Sequence, residues 1–271
     1  MEPVAVLLPI YAKDNADYIK LSINSILNQS YHNVKLLIGV DGPVDQVIQH
    51  LLTSFTEDVR VNVHYFPINR GLACVLNDLI TAGRKEGYSF FARMDADDIS
   101  LDKRIEIQMD YLKNHEDVDV VGGAIAEIDE NSQPNGKIVI YPENHSDCRR
   151  MFRYRDPLAH PATLFRSRYF DKAKGYRNEY RKNQDTMLWY DGFMNGCIFA
   201  NVQDTVLYFR VTNDFYKARR SGFSRAKKML KDRWMINKHL KFGLSSYLFA
   251  SAMFVVTISP AWLRKLLYRI R

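Results

Sequence analysis

The sequence predicts an α/β fold: a mostly parallel, Rossmann-like sheet flanked by helices, followed by a basic helical C-terminal extension. Three observations predict it. Short apolar runs alternate with stretches of helical periodicity through about residue 115, the pattern of parallel strands joined by crossover helices. Those runs are nearly continuous rather than alternating, as expected of strands covered on both faces. Residues 210–271 carry 15 Lys/Arg against 2 Asp/Glu, a net of +13, which leaves a net of −6 on residues 1–209.

Val4–Ile10 is the first buried strand, and Ile19, Ile23, Ile26 and Leu27 then repeat at helical spacing. Val34–Val40 is a second buried strand that ends at Asp41-Gly42-Pro43. Val47, Ile48, Leu51 and Leu52 predict a helix, and Val59–Phe66 a third strand. Leu72–Ala82 reads as a helix, and Tyr88–Met94 as a fourth strand running into Asp95-Ala96-Asp97-Asp98. Beyond it, Val118–Ile128 is expected as a strand, with Asn135-Gly136 as the turn into Lys137–Tyr141. His160–Phe165 reads as extended, Gln184–Phe193 as a helix, and Ile198–Val211 as one or two strands.

The chain has 271 residues, 46% hydrophobic and 25% charged, an ordinary folded composition that excludes disordered and fibrous classes. Cys74, Cys148 and Cys197 are too scattered for a zinc site or a disulfide framework and are expected to be reduced. No basic region precedes the first apolar run, so no secretory signal is expected. No spaced glycines follow the first strand and no Gly-Lys-Ser/Thr occurs, which removes the dinucleotide and P-loop readings.

Ligands of open α/β sheets bind beyond the carboxyl ends of the strands. The polar residues there are Tyr11, Asp41, Asn69 to Gly71 and Asp95 to Asp98, all expected on one rim. Asp95, Asp97 and Asp98 would repel one another unless a cation neutralised them. An all-oxygen ligand set selects a hard ion, Mg²⁺ or Mn²⁺. The plainer alternative makes Asp98 or Asp102 the cap of a helix starting near Leu101.

At these residues the chain resembles the family 2 glycosyltransferases of GT-A fold, in particular bacterial enzymes of surface-polysaccharide synthesis. The resemblance rests on Leu8-Pro9-Ile10-Tyr11, Ser25-Ile26-Leu27-Asn28-Gln29-Ser30, Asp41-Gly42, Asn69-Arg70-Gly71-Leu72, Asp95-Ala96-Asp97-Asp98, His160-Pro161 and Gln184-Asp185, and covers residues 4 to about 210. It implies a nucleotide-sugar-binding half at 1–115 and an acceptor-binding, catalytic half at 116–210 of one domain. Pro9, Tyr11, Asp41, Asn69, Arg70 and Asp95 would bind the donor nucleotide, and Asp97 would ligate a divalent cation. Asp185 would be the catalytic base, with Gln184 where the family usually has Glu. The family also usually shows two acids before the glycine of Asp41-Gly42, where this chain has Val40-Asp41, and the base is left open between uridine and other nucleosides.

The implied reaction is a single displacement with inversion, transferring a sugar from a nucleotide diphosphate sugar to an acceptor hydroxyl. His160, Gln184 and Trp189 are candidate donor or acceptor contacts. A buried structural histidine, core aromatics and surface ion pairs of Arg70, Arg93 and Arg104 are the simpler alternatives. A helix-capping role is the alternative for Asp185.

Phe223, Ala226, Leu230 and Trp234 fall on one helical face amid lysines and arginines, and Phe242–Leu263 follows as 22 uncharged residues. Region 211–271 is therefore expected to associate with an anionic membrane, peripherally or monotopically, rather than to span it. A helix pair packed back on the catalytic domain is the alternative. The implied acceptor is a glycan on a polyprenyl diphosphate lipid, at the inner face of the cytoplasmic membrane. Competing functions are a sugar-nucleotide nucleotidyltransferase, a nucleic-acid-binding protein using the basic tail, and an inactive sugar-binding relative. The acidic body speaks against a nucleic-acid partner.

Overall fold

A computed structural model describes residues 1–212 and 223–259. The first half runs β1 (Val4–Ile10), α1 (Ala16–Leu27), β2 (Val34–Asp41), α2 (Gln46–Phe55), β3 (Val61–Phe66), α3 (Leu72–Lys85), β4 (Phe90–Arg93), β5 (Ile99–Ser100) and α4 (Arg104–Asn114). The second runs β6 (Val120–Ile128), β7 (Pro134–Val139), α5 (His145–Phe152), a 3₁₀ turn (His160–Ala162), β8 (Leu164–Arg166), α6 (Ser167–Ala173), α7 (Gln184–Met194) and β9 (Phe199–Arg210). Two further helices close the described chain, α8 (Phe223–His239) and α9 (Leu244–Ile258).

The strands form one sheet in the order β3-β2-β1-β4-β8-β6-β9-β5, with β7 paired to β6. β3, β2, β1 and β4 are mutually parallel, as are β6 and β9, and β8 joins the two groups antiparallel to both neighbours. Alternate residues of β1 enter opposite cores: Val4, Val6, Leu8 and Ile10 meet α1, α2 and α4, while Ala5 and Leu7 meet α3 and α7. Burial on both faces is the physical reason this strand reads as an unbroken apolar run.

Two expectations are corrected here. The β6–β7 reversal occurs at Asp129–Gln133, where the Asp129 amide donates to the Gln133 carbonyl and Ser132 takes φ 63°. Asn135-Gly136 lies within β7 instead. Neither Asp98 nor Asp102 caps α4, whose amide at Ile105 donates to the Gln29 side chain at 3.0 Å. That buried glutamine also donates to the Ser25 and Leu101 carbonyls at 2.9 and 2.7 Å. The Ser25–Ser30 motif thus anchors the loop that follows the acidic cluster.

The C-terminal helices pack against the domain. Ile236, Leu240 and Phe242 join the core on the α3 and α7 side of the sheet. The face of α8 holding Phe223 and Trp234 is turned to α9, through ring contacts of Phe223 with Phe254 and of Trp234 with Tyr247 at 5.9 Å each. α9 carries no charged residue and leaves Leu244, Leu248, Val255 and Ile258 exposed on one stripe. No helix among the described residues is long and apolar enough to cross a membrane.

Candidate active site

β1, β2 and β4 end on the same edge, with Ile10 in register with Val40 and Leu7 with Arg93. Pro9 sits inside β1, and the exposed Tyr11 follows the strand. The Tyr11 amide donates to the Asp14 carboxylate at 2.8 Å. Asp14 was not anticipated from the sequence, where it reads as a turn residue before the Asn15 cap of α1. Desolvation, then the charges of Asp97 and Asp95, push its pKa up to about 7 against the Tyr11 hydrogen bond. It is a fourth carboxylate in the field of the acidic cluster.

Asp95, Asp97 and Asp98 each bring one carboxylate oxygen to within 4.8 Å of the others, and no other metal-holding group of three occurs among the described residues. Their settings differ. Asp95 pairs with Arg93, which is fully buried, and its carbonyl accepts from Ser22 Oγ at 3.0 Å. Asp98 is buried, accepts from the Arg210 amide at 2.9 Å, and has a second oxygen with no partner. Burial, then the neighbouring aspartates, hold Asp98 well above the usual carboxylate range. Asp97 opens to solvent, and desolvation in the recess followed by Asp95 raises it to about 6. An all-oxygen set with accumulated like charge and a buried oxygen left over could hold a hard divalent cation, and Asp97 is its carboxylate open to solvent.

Asp41 is engaged at both oxygens, accepting from the Arg70 and Gly71 amides at 2.7 and 2.8 Å. Asn69 donates from its side chain to the Asp41 carbonyl at 3.1 Å. Gly42 makes this approach possible: its φ is +87°, and a Cβ there would meet the Asn69 amide nitrogen at 2.8 Å. Arg70 turns along the surface, paired with Asp78 and lying 4.4 Å over the Phe66 ring.

Asp185 lies in the first turn of α7 and accepts the Thr186 amide at 2.8 Å. Thr186 Oγ1 donates to Asp156 at 2.7 Å, and Asp156 is held in turn by Arg233 of α8 at 3.1 Å. Asp185 and Asp95 both act on the buried Tyr176 phenol, whose pKa burial raises first and these two charges raise further. Asp185 and Asp95 thus both lie within electrostatic reach of that one phenol. Gln184 is half-buried with its Oε1 unpaired.

Trp189 and His160 follow the simpler reading given for each, core aromatic and buried histidine, rather than ligand contact. Trp189 is fully buried, 6.0 Å from Phe165 and Phe199, so it belongs to the core and has no face for a sugar. His160 is buried at 2.8 Å from the Tyr176 hydroxyl, and burial, then Arg93, hold its pKa well below the usual value. It is a neutral group beneath the site. Arg93 and Arg104 are likewise interior, with Arg104 donating to the Arg93 carbonyl at 2.7 Å and lowered to about 9 by burial. Arg93 reaches its ion pair with Asp95 from the interior, and Arg104 forms no ion pair among the described residues.

A sheet of this order with acidic residues beyond its central strand is the architecture of GT-A glycosyltransferases. The chain belongs to glycosyl transferase family 2, whose family model matches residues 5–174. It is 32% identical over 217 residues to the O-antigen biosynthesis glycosyltransferase WbnJ of Escherichia coli, covering 79% of this chain and 81% of that protein. It is 27% identical over 222 residues to the E. coli UDP-Gal:alpha-D-GlcNAc-diphosphoundecaprenol beta-1,3-galactosyltransferase, covering 82% and 78%. The fold is similar to that of S. aureus TarS 1–349 in complex with UDP, with TM-score 0.66 and 16% identity over 97% of this chain and 77% of that one. The nucleotidyltransferase and nucleic-acid-binding alternatives give way to this assignment.

Proposed function

We propose that the protein is an inverting, metal-dependent glycosyltransferase that moves a sugar from a UDP-sugar to a hydroxyl of a lipid-linked glycan in surface-polysaccharide synthesis. One observation carries the reading: Asp97 stands open beside Asp95 and Asp98, in a recess where burial and neighbouring charge resist the ionisation of Asp97 and Asp98. Mg²⁺ or Mn²⁺ bound by Asp97 would supply positive charge against the departing diphosphate.

The chain's own residues do the rest. Tyr11 offers an exposed ring for the nucleobase at the end of β1, beside Pro9. Asp41 fixes the turn at Asn69 to Gly71 and keeps lone pairs for a base or ribose donor. Asp95, held by Arg93, faces the ribose or sugar. A phosphate reaching Arg70 would have to draw it from Asp78. Asp185 accepts the proton of the acceptor hydroxyl as that oxygen attacks the anomeric carbon opposite the diphosphate, and the configuration inverts. Its carboxylate is steadied by the chain from Thr186 through Asp156 to Arg233. No covalent intermediate is needed.

The UDP complex of a similar fold supports the donor, and the relative named for GlcNAc-diphosphoundecaprenol supports the acceptor. The exposed stripe on α9 and the lysines of α8 support attachment to the inner face of the cytoplasmic membrane. Calorimetry against a panel of nucleotide sugars tests the core of the reading. UDP-sugars should bind with an affinity raised by Mn²⁺ or Mg²⁺, and a protein whose nucleotide binding ignores both ions is not this enzyme.

A further inference from the structure

A cavity of about 250 Å³ lies between α8, α9 and the segment Arg153–Asp156. Its wall is shared with the candidate base, because Asn183 and Thr186, on either side of Asp185 in sequence, line it. The opposite walls are apolar and come from Met229 and Leu230 of α8 and from Phe249, Met253 and Phe254 of α9.

The charge on the lining is unbalanced. Arg233 is taken up by Asp156 and by the Phe152 carbonyl. Arg153 and Arg155 also line the cavity and form no ion pair among the described residues. The Nε of Arg153 is buried without a partner. Three guanidinium groups against one carboxylate leave a net of about +2 beside an apolar wall. A ligand complementary to both halves is an amphiphile whose head carries two phosphates.

The two faces of α9 say where that ligand comes from. Phe249, Met253 and Phe254 face the cavity, whereas Leu244, Leu248, Val255 and Ile258 form an exposed apolar stripe on the other side of the helix. A helix apolar on both faces, one lining a cavity and one open, suits an element set into a lipid surface.

We infer that this cavity holds the lipid end of the acceptor, a polyisoprenyl diphosphate. The diphosphate meets Arg153 and Arg155, and the first isoprenyl units lie against α8 and α9. The acceptor sugar then projects past Thr186 to Asp185. This rests on the lipid-linked reading proposed above and adds the place where the lipid binds.

Farnesyl diphosphate, titrated into the full-length protein in EDTA so that no metal can recruit it to the acidic cluster, tests the inference. Saturable binding should be at least about tenfold tighter than for farnesol or inorganic diphosphate. Arg155→Glu, at an exposed position, should weaken it about tenfold or more, and Met253→Trp, which fills the cavity, should abolish it. Both variants should bind UDP with Mn²⁺ as the wild type does, which shows that they are folded. No saturable binding, or binding that neither variant weakens, overturns the inference. Equal competition by short-chain phosphatidylglycerol assigns the cavity to bulk phospholipid, and a dimer dissolved by Met253→Trp assigns it to a second copy of the chain; either overturns it too. Transfer to a lipid-free sugar without farnesyl diphosphate binding would sink this inference alone. Farnesyl diphosphate binding with no nucleotide-sugar turnover would instead sink the glycosyltransferase reading.

Discussion

Arg210 donates its Nε–H to the backbone carbonyl of Asp97 at 2.8 Å, while its own amide bonds the Asp98 carboxylate at 2.9 Å. Its Nη1 reaches the Asp129 carbonyl at 2.8 Å, and its guanidinium lies 3.9 Å over the Tyr18 ring. One side chain at the end of β9 therefore fixes the acidic loop, the β6–β7 reversal and α1. Lysine cannot reproduce this planar fork. Arg210→Lys should lose ~1–3 kcal/mol of stability and weaken Mn²⁺ binding without removing a ligand. Thermal melts in EDTA and an Mn²⁺ titration check both, and a variant unchanged in each would deny the residue this role.

Asp97→Asn should behave differently. It removes the proposed metal ligand together with a repulsive charge, so metal-stimulated UDP binding should disappear while the metal-free protein melts no earlier than the wild type. Calorimetry with and without Mn²⁺, beside melts in EDTA, separates the two effects.

Asp185→Asn keeps the size of the side chain and loses the proposed base. UDP affinity should stay at the wild-type value while transfer falls by about 10²–10⁴. Transfer at the full rate would place the base elsewhere.

Asp14 gives a pH signature. Its folded pKa, about 7, lies above its ordinary value of 3.8, so between these pH values the folded chain binds more protons than the unfolded one. Its contribution to stability therefore falls as pH rises from about 4 to about 7. Asp14→Asn should gain on the wild type across that window, by at least about 2 °C in Tm, and the gap should stop widening above it. A gap independent of pH in EDTA would contradict the raised pKa.

Gly42→Ala is expected to cost ~2 kcal/mol or more, because its φ of +87° is strained for alanine and the new Cβ would meet the Asn69 amide nitrogen at 2.8 Å. Denaturant melts measure the loss. UDP affinity should fall with it, since the displaced turn is the one Asp41 holds.

The C-terminal helices limit how membrane attachment can be probed. Cutting the chain at residue 211 would strip Ile236, Leu240 and Phe242 from the core, and loss of fold would pass for loss of anchoring. Leu248→Glu with Val255→Glu, on the exposed stripe, leaves the core intact and should reduce flotation with anionic vesicles.

Strand and helix positions in the first half were legible because burial on both faces leaves an unbroken apolar run, and the acids at strand ends marked the rim. The chain alone misplaced the β6–β7 turn, since Asn-Gly is a turn signal by local preference whereas the reversal followed the pairing of β6 with its neighbours. Trp189 and His160 stood as candidate ligand contacts beside the simpler readings of core aromatic and buried histidine, and their burial follows the simpler ones. The order of residues alone does not say which side chains the sheet will cover.

By itself the sequence determined the alternating architecture, the acidic strand end and the basic tail, all of which rest on the local order of apolar and charged residues. Only the tertiary structure decided which carboxylate stays open, that Asp14 and Arg210 belong to the site, and that α8 and α9 enclose a cavity beside Asp185. Those outcomes depend on desolvation and on contacts between residues more than a hundred positions apart, such as Arg210 with Asp97 and Asp98, and no local pattern encodes them.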